Sequence, residues 1–369
     1  MQKRRLGRTA LQVSVIGFGG IPIIPASRGE AERVVRYAFE RGINYFDTAR
    51  NYGDSEEKIG SALRDVRDQV VLASKVLQRT KGDAARAGLK QTLRNLQTDR
   101  IDLMQLHGID SSEVLQKVIS KKGALTALKE AKAQGQIDFI GISGHNSHVL
   151  AKAIATREFD TVLVPVNILD RYATENLFSL ANELDVGIVI MKALGGCGGP
   201  LEFVQRDARI MGRPERDWPD VSEFVEHFGS VGFERAQRSL RFVLAHEIDT
   251  VIPGFRSKDE VDFALDVADH FEGLTIDEKR TYRYGELPPE PFCRECSACM
   301  PCPDGVEIPT ILRWSTYSTF YGISSWSKEQ YPKLRTKVNS CTRCGECEKK
   351  CPYNLPVMNM LSLAERIFR

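Results

Sequence analysis

Short apolar runs alternate with longer amphipathic segments along most of the chain. Eight of these runs are rich in β-branched and aromatic residues and have the length of strands. They cover residues 15–20, 45–49, 70–76, 101–107, 138–144, 161–167, 187–193 and 250–255. Helical segments such as GEAERVVRYAFERG and GDAARAGLKQTLRNLQ lie between them and are long enough to cross back over a sheet. The pattern predicts a series of strand–helix units.

The eight runs are almost continuously apolar. This indicates strands buried on both faces, as in an all-parallel sheet covered by helices. Eight such units in about 255 residues fit a closed (β/α)8 barrel of the TIM type. The alternative, an open doubly wound sheet, would need a GxGxxG turn after its first strand, where this chain has GFGGIPI. We therefore predict an α/β fold with a (β/α)8 barrel over residues 1–281.

Two segments interrupt or end this pattern. Residues 196–232 separate the seventh run from its helix and fall on the C-terminal rim of the predicted barrel. We interpret them as a loop that covers the substrate, with a surface insertion as the alternative. The proline-rich YRYGELPPEPF, residues 282–292, predicts a linker into a separate domain over residues 293–369.

Composition narrows the class of protein. The chain has 369 residues, 42% of them hydrophobic and 27% charged, which suits one large and one small globular domain. Its 51 basic and 49 acidic residues are interspersed, which predicts neither a nucleic-acid nor a membrane-surface role. No apolar run reaches the roughly 18 residues of a membrane helix. Eight of nine cysteines fall within residues 293–369 at metal-ligand spacing, which favours a reducing, cytoplasmic compartment.

Four polar residues stand at or just after the C-terminal ends of predicted barrel strands, where catalytic groups of such barrels lie. Asp47 falls in the second strand, Tyr52 follows it, Lys75 lies at the end of the third, and His107 ends the fourth. Each one alone could be structural. Because three adjacent strands bring them to one rim, we predict that they form a catalytic site.

These residues carry a family resemblance. NYFDTARNYG with Asp47 and Tyr52, LASK with Lys75, and DLMQLHG with His107 resemble the motifs of the aldo-keto reductase superfamily in order and spacing. The opening RRLGRTALQVSVIGFGG resembles that family's N-terminal hairpin and first strand. The resemblance extends to about residue 270 and implies reduction of a small carbonyl substrate by a nicotinamide cofactor. The remaining domain resembles the subgroup that appends an iron–sulfur module.

The chemistry of the four residues agrees with that implication. Hydride delivery to a carbonyl carbon builds negative charge on the oxygen, so a proton donor is needed there. A free tyrosine, with a pKa near 10, is a poor acid at neutral pH, but a lysine cation beside a phenol lowers its pKa. We expect Asp47 to orient Lys75. His107 is expected to donate a hydrogen bond to the developing oxyanion, which typically stabilises the transition state by about 3 kcal/mol. Tyr52 is the predicted proton donor.

The resemblance also implies nicotinamide contacts, with departures from the family pattern. Ser143 fits a carboxamide contact, but Gly144 and His145 stand where an asparagine is usual. Asn167 is retained, whereas Leu163 replaces a frequent glutamine. Met191 stands where an aromatic ring commonly stacks on the nicotinamide, and it still offers a polarizable face.

Further cofactor contacts are expected from backbone and phosphate-binding positions. Arg256 and Ser257 follow the eighth strand, the usual phosphate site of these barrels, with a solvated charge run as the alternative. Arg256 and Lys258 favour a 2′-phosphate, hence NADPH over NADH. The glycine-rich stretch after Lys192 permits close approach of a pyrophosphate or serves as a hinge. The remaining predicted contacts are Gly19, Gly20, Leu194, Gly195, Pro253 and Gly254.

The C-terminal cysteines predict iron–sulfur chemistry. CTRCGECEKKCP is the bacterial ferredoxin run, whose fourth cysteine binds the other cluster. A sister run, CRECSACMPCP, has a shorter last spacing. Crossed ligation predicts two 4Fe-4S clusters, with structural zinc as the alternative. The first quartet is Cys293, Cys296, Cys299 and Cys351, and the second is Cys302, Cys341, Cys344 and Cys347.

The segment between the two cysteine runs has helical character, so a mainly helical ferredoxin-type domain is predicted. Two functions then compete. The chain is either an NADPH-dependent carbonyl reductase carrying two clusters, or an electron-transfer or scaffold protein whose barrel binds nucleotide with little turnover. The complete catalytic set favours the first. Because hydride carries two electrons and a cluster one, we expect carbonyl reduction to proceed without the clusters. The substrate and a redox partner protein stay open.

Overall fold

The computed structural model describes residues 1–24, 26–77, 81–168, 170–194, 232–279, 293, 296–320 and 324–369. The chain divides into two compact units, Met1–Gly195 with Gln237–Arg283 and Gly196–Ala236 with Tyr284–Arg369. The predicted linker and residues 196–231 of the predicted rim loop lie outside the described residues. No helix in the described ranges is long and apolar enough to span a membrane.

The first unit contains a parallel eight-stranded sheet within its described residues. Its strands are β3 (Phe18–Gly19), β4 (Tyr45–Asp47), β5 (Val71–Val76), β6 (Ile101–Leu106), β7 (Ile137–Ser143), β8 (Thr161–Pro165), β9 (Gly187–Met191) and β10 (Thr250–Val251), adjacent in chain order. The bridge Gly19–Gly254 and the hydrogen bond from Gly17 N to Val251 O (2.8 Å) join the two outer strands. The predicted (β/α)8 barrel is confirmed, and each strand overlaps its predicted run.

Helices cover the outside of the barrel. They span Arg28–Glu40, Ser55–Leu63, Gly82–Asn95, Ser112–Ile119, Ala124–Ala133, Ser147–Ile154, Tyr172–Asn176, Phe178–Glu183, Gly232–Leu244 and Lys258–Asp269. The first begins at a capping box, in which Ser27 N donates to Glu30 Oε2 (2.9 Å) and Ser27 Oγ accepts from Glu30 N (3.4 Å). Apolar helix faces pack on the outward side chains of the strands and form the main core.

A hairpin of β1 (Lys3–Arg5) and β2 (Gln12–Ser14) closes the N-terminal end of the barrel. Its turn residue Leu6 is fully buried and joins the side chains inside the barrel. Gly7 has φ +45°, and a Cβ there would lie 2.2 Å from Gly187 N, so only glycine fits. Among the described residues, the hairpin thus fills the N-terminal end of the barrel interior.

The second unit is helical in its described residues, with no strand among them. Its helices are Ile308–Phe320, Ser324–Gln330, Glu346–Lys350 and Val357–Phe368, with 3-10 turns at Tyr331–Lys333 and Val338–Ser340. Ile311, Leu361 and Ala364 form part of a small buried core, and Tyr331 stacks on Phe368 with ring centroids 4.5 Å apart. The predicted mainly helical C-terminal domain is confirmed.

Candidate active site and cysteine centre

A buried ion pair forms the base of the rim site. Strands β4 and β5 bring Asp47 and Lys75 together, and Lys75 Nζ bonds Asp47 Oδ1 and donates to Thr48 O (2.8 Å). Gln105 on β6, which pairs in register with Lys75, donates through Nε2 to Asp47 Oδ2 (2.9 Å). Lys75 is only 1% exposed and Asp47 2%. Each carboxylate oxygen thus has a donor, as a buried charge requires.

The ion pair keeps the Lys75 side chain charged inside the barrel. Burial by itself would lower the pKa of Lys75, but the charge of Asp47 and the bonds to Asp47 and Tyr52 outweigh it, so the pKa of Lys75 is raised. Burial raises the pKa of Asp47, against the opposing influence of Lys75 and Gln105. Lys75 therefore stays protonated at neutral pH.

Tyr52 and His107 complete the site. Tyr52 lies half-buried on the loop after β4 and hydrogen-bonds Lys75, whose Nζ is 4.9 Å from the ring centroid. His107, directly after β6, meets the Tyr52 ring edge-on, with centroids 5.9 Å apart and an interplanar angle of 82°. His107 N donates to Val76 O (3.2 Å), which fixes it beside β5. The structure thus brings all four predicted catalytic residues to one rim.

A second buried network holds the loop that carries Tyr52. Glu56, 1% exposed, accepts hydrogen bonds of 2.8 Å from Arg50 Nη1, Ser74 Oγ and Asn95 Nδ2. Ser74 precedes Lys75 on β5, so Glu56 ties the Tyr52 loop to the strand that bears the lysine. Sequence reasoning missed Glu56 and Gln105. Gln105 had a signal, since it is the lone amide in the apolar run IDLMQL.

Two of the predicted nicotinamide contacts, Ser143 and Asn167, hydrogen-bond to neighbouring loops on the rim. Ser143 Oγ accepts from Gly108 N (3.2 Å), and Asn167 Nδ2 donates to Lys192 O (3.0 Å). A Cβ on Gly144 would lie 2.7 Å from Ile109 O, so the asparagine usual in the family has no room there. The departure at position 144 follows from how closely the loops after β6 and β7 approach.

Met191 and the residues after it sit at the end of β9. Met191 is half-buried and packs against the side chains inside the barrel. Lys192 adopts φ +56°, and Leu194 packs on the outer core. Gly195 lies outside the described residues.

Packing within the protein explains why three of the predicted cofactor contacts are glycines. A Cβ on Gly19 would lie 2.9 Å from Ile252 O, one on Gly20 2.6 Å from Ser55 Oγ, and one on Gly254 2.1 Å from Pro22 Cγ. Gly19 N also donates to the carbonyl of buried Pro253 (2.8 Å). Closure between β3 and β10 therefore requires small residues here without any ligand.

The predicted phosphate site lies at the start of helix Lys258–Asp269. Ser257 caps this helix, its Oγ accepting from Glu260 N (3.2 Å). Arg256 is exposed and pairs through Nη2 with Glu260 Oε1 (2.8 Å), while Lys258 Nζ lies 4.8 Å over the Tyr37 ring. A bound phosphate would compete with Glu260 for Arg256.

Four cysteines in the second unit line one cavity. They are Cys293, Cys296, Cys299 and Cys351, the predicted first quartet with its crossed fourth member. Aliphatic side chains such as Ile308, Leu312 and Val357 supply much of the remaining wall. In the described part of the chain no three His, Cys, Asp or Glu side chains converge tightly enough to hold a single metal ion. The four cysteines are instead spread over the cavity wall.

The second quartet differs in exposure. Cys347 is buried, Cys302 and Cys341 are half-buried, and Cys344 is exposed. Asp304, two residues after Cys302, accepts from Thr342 N and Thr342 Oγ1 at 2.8 Å, which ties the two cysteine runs together.

Burial makes two of the cysteine thiols, Cys299 and Cys347, harder to ionise. Burial, with a contribution from Cys296, raises the pKa of Cys299 to about 12, and Cys347 and Cys351 add to the effect. Burial also raises the pKa of Cys347. Iron–sulfur ligation needs thiolates, so these residues suit a site whose cations arrive with the cluster.

Comparison with protein families identifies both parts of the chain. Residues 15–281 match the Aldo/keto reductase family, and residues 292–356 match the 4Fe-4S dicluster domain. The first match covers well over half of the chain. The chain therefore belongs to the Aldo/keto reductase family of oxidoreductases and carries a 4Fe-4S domain, which confirms the resemblance seen in its motifs.

Individual relatives are distant. The uncharacterised oxidoreductase YqkF of Bacillus subtilis is 31% identical over 202 residues, 51% of this chain and 63% of its own length. L-galactose dehydrogenase of Arabidopsis thaliana is 26% identical over 303 residues, 76% of this chain and 92% of that protein.

Solved structures share the fold. The holo form of aldo-keto reductase AKR11C1 from Bacillus halodurans is 26% identical, with a TM-score of 0.60 over 78% of this chain and 97% of its own. An aldo-keto reductase from Klebsiella pneumoniae in complex with NADPH is 24% identical, with a TM-score of 0.59 over 79% of this chain and 98% of its own. The likeness to the Klebsiella protein shows the fold alone.

Proposed function

We propose that this protein reduces an aldehyde or ketone by hydride transfer from NADPH, with Tyr52 as the proton donor, and that its C-terminal domain holds two 4Fe-4S clusters. The observation that carries the proposal is the buried cation Lys75, paired with Asp47 and hydrogen-bonded to Tyr52. A barrel that only binds nucleotide has no chemical need for this arrangement.

In this mechanism, bound NADPH supplies the hydride. Tyr52 and His107 bind the carbonyl oxygen, and Tyr52 gives it a proton as charge develops there. Lys75 stabilises the phenolate that remains, while Asp47 holds the ammonium in place. General acid catalysis of this type raises the rate roughly 10²- to 10⁴-fold. A preorganised hydrogen-bond donor such as His107 stabilises the transition state by about 3 kcal/mol.

The preference for NADPH rests on the start of helix Lys258–Asp269. Arg256, Ser257 and Lys258 offer two cations and a helix N-terminus to a 2′-phosphate. The nicotinamide would meet Ser143, Asn167 and Met191. The backbone positions proposed to line the rest of the cofactor are Gly19, Gly20, Lys192, Leu194, Gly195, Pro253 and Gly254.

The cluster proposal rests on the cavity lined by Cys293, Cys296, Cys299 and Cys351. These residues would hold one cluster, and Cys302, Cys341, Cys344 and Cys347 the other, each supplying one-electron chemistry. We further propose that the barrel domain spans residues 1–281, the linker residues 282–292 and the cluster domain residues 293–369. We also propose that the protein is cytoplasmic, since clustered ligand cysteines suit a reducing compartment.

Tyr52→Phe tests the proton donor. We expect kcat for an aldehyde to fall by at least about 10²-fold, with NADPH affinity measured by fluorescence unchanged. Tyr331→Phe is the matched control, because its hydroxyl also accepts a hydrogen bond, from Val338 N (3.2 Å), but lies in the other unit. Wild-type turnover in Tyr52→Phe would exclude this role.

The second candidate function, electron transfer with a barrel that turns over little, is favoured by the cysteine domain. Anaerobic purification followed by iron and sulfide counts establishes the number of clusters. NADPH alone is then added while the cluster absorbance is followed. Bleaching would favour electron transfer; unchanged absorbance together with carbonyl turnover supports the reductase.

A further inference from the structure

Gln105 is a fully buried amide inside the barrel. Its neighbour two positions earlier on β6, Leu103, is apolar and belongs to the cluster of side chains that fills the interior. Gln105 Nε2 donates to Asp47 Oδ2 (2.9 Å), but its Oε1 has no hydrogen-bond partner in the part of the chain that the structure describes. A buried acceptor without a partner costs stability. If this residue served only to fill space, an apolar side chain would be the more stable choice.

The position of Gln105 is fixed by its neighbours. It reaches Asp47 across β5, where the register partner of Asp47 is the small Ala73. On its other side Gln105 pairs in register with Gly141 on β7. A Cβ on Gly141 would lie 2.9 Å from Gln105 Cγ and 2.5 Å from Thr161 Oγ1, so the glycine leaves room for both side chains. Packing thus holds the amide where it meets Asp47.

The amide acts on the charge of Asp47. Lys75 Nζ bonds Asp47 Oδ1, and Gln105 supplies the donor for the other oxygen. Burial raises the pKa of Asp47, while Lys75 and Gln105 oppose this change. Without the amide, Asp47 would take up a proton at a higher pH, and the Lys75 ammonium would then lose its counter-charge.

We propose that Gln105 is a positioning residue of the rim site, whose amide keeps Asp47 ionised and aligned with Lys75 and thereby extends carbonyl reduction to lower pH. The inference rests on the proposed function, in which Lys75 acts on Tyr52. An amide suits this task because it donates to a carboxylate without ionising itself. A second cation at this position would repel the Lys75 ammonium.

Other ionisable groups lie around Asp47. They are Lys75 on β5, Tyr45 on the same strand as Asp47, and Tyr52 and His107 at the rim. Burial and the charge of Asp47 raise the pKa of Tyr45, and the pKa of Lys75 is also raised, so neither changes its charge in acid. Histidines commonly titrate between about pH 5 and pH 8. Proton uptake by Asp47 therefore has to be followed directly as well as through turnover.

The test is Gln105→Met in the full chain, which keeps the length of the side chain but removes the donor. Gln105→Asn keeps the amide but shortens the side chain by one methylene, and it serves as the second variant if the first does not fold. The matched control is Thr161→Val. Thr161 on β8 is also fully buried, and its Oγ1 likewise has no partner among the described residues, so its hydroxyl donates no bond to Asp47.

Two quantities are measured as the pH is lowered. The first is kcat with an aldehyde and NADPH. The second is proton uptake by the buried carboxyl group, followed by infrared difference spectroscopy, with Asp47→Asn as the variant that assigns the carboxyl band. The first quantity reports on the reaction, whereas the second reports on Asp47 itself.

For Gln105→Met we expect kcat to fall progressively below the wild-type value as the pH is lowered, by about tenfold near pH 5, while KM for NADPH stays within about twofold. The carboxyl band should appear at a higher pH than in the wild type, because the ionised form has lost a donor. Gln105→Asn should change both quantities in the same direction, and Thr161→Val should follow the wild type.

Three results would overturn the proposal: a loss of kcat that is the same at every pH, a carboxyl band that titrates as in the wild type, or an equal change in Thr161→Val. A wild type that reduces no carbonyl would instead refute the proposed function. The infrared titration would still show whether Gln105 keeps Asp47 ionised, so the two failures are distinguishable.

Discussion

The barrel rim and the cysteine domain arrange charge in opposite ways. At the rim, Lys75 finds its counter-charge in Asp47, and the ion pair is complete within the chain. In the cysteine cavity, burial raises the pKa of Cys299 to about 12, so this thiol ionises at neutral pH only beside a cation. The rim is therefore preorganised by protein alone, while the cysteine domain depends on what it binds.

The largest expected effect comes from removing the rim cation. Lys75→Met should lower kcat by about 10³-fold, since the phenolate of Tyr52 loses its stabilising charge. It should also lower the free energy of unfolding by about 3–5 kcal/mol, because Asp47 is left buried without its partner. Adding Asp47→Asn should recover stability but not activity. Steady-state kinetics and urea unfolding measure both, and recovered activity in the double variant would contradict the role of Lys75.

The next effect separates the two regions. Cys299→Ser should lower the iron content by about half, since one quartet loses a ligand. Carbonyl turnover should stay within about twofold of wild type, because the rim needs no cluster. Cys197→Ser, the cysteine outside both quartets, is the control and should change neither quantity. A loss of turnover that follows the iron would show that the regions are coupled.

A smaller effect is expected from the network behind the Tyr52 loop. Glu56→Gln should lower kcat by about tenfold with KM little changed, because Arg50 and Ser74 lose a charged acceptor and Tyr52 is less well placed. Glu57→Gln, at the adjacent position, is the control because Glu57 takes no part in that network. Equal kinetics of the two variants would argue against positioning by Glu56.

The smallest effect concerns a pair outside both sites. Bonds from Arg241 Nε (2.6 Å) and Nη2 (3.0 Å) lower the pKa of Glu278 to about 2. Because the folded pKa lies below the unfolded one, the stabilisation is complete above about pH 4.5 and is lost as the pH falls towards 2. Glu278→Gln should cost about 1 kcal/mol at pH 7 and much less near pH 2. Urea unfolding at both pH values checks this, and a cost independent of pH would refute the linkage.

The parts that sequence reasoning could predict are those encoded locally. Continuous apolar runs indicate buried strands, and the ends of adjacent parallel strands must meet at one rim, so Asp47, Lys75 and His107 could be placed together. Cysteine spacing similarly placed Cys351 with the first run. Both inferences use only short patterns and the rules of parallel barrels.

The parts that could not be predicted depend on contacts between distant segments. Gln105 bonds a carboxylate 58 positions away, and Glu56 joins a loop, a strand and a helix. The close contacts of Gly19 with Ile252 and of Gly254 with Pro22 could not be predicted from the sequence either. A glycine in the sequence can indicate that another group lies close to the backbone, but the sequence does not show which group that is.

The position of Cys351 has a consequence for biosynthesis. It lines the same cavity as Cys299, although it follows that residue by 52 positions. While a ribosome is still translating the segment between them, the cavity lacks one wall. If this quartet holds a cluster, as proposed above, the cluster can acquire its fourth ligand only after the second cysteine run has been made, by which time residues 1–281 have already been synthesised.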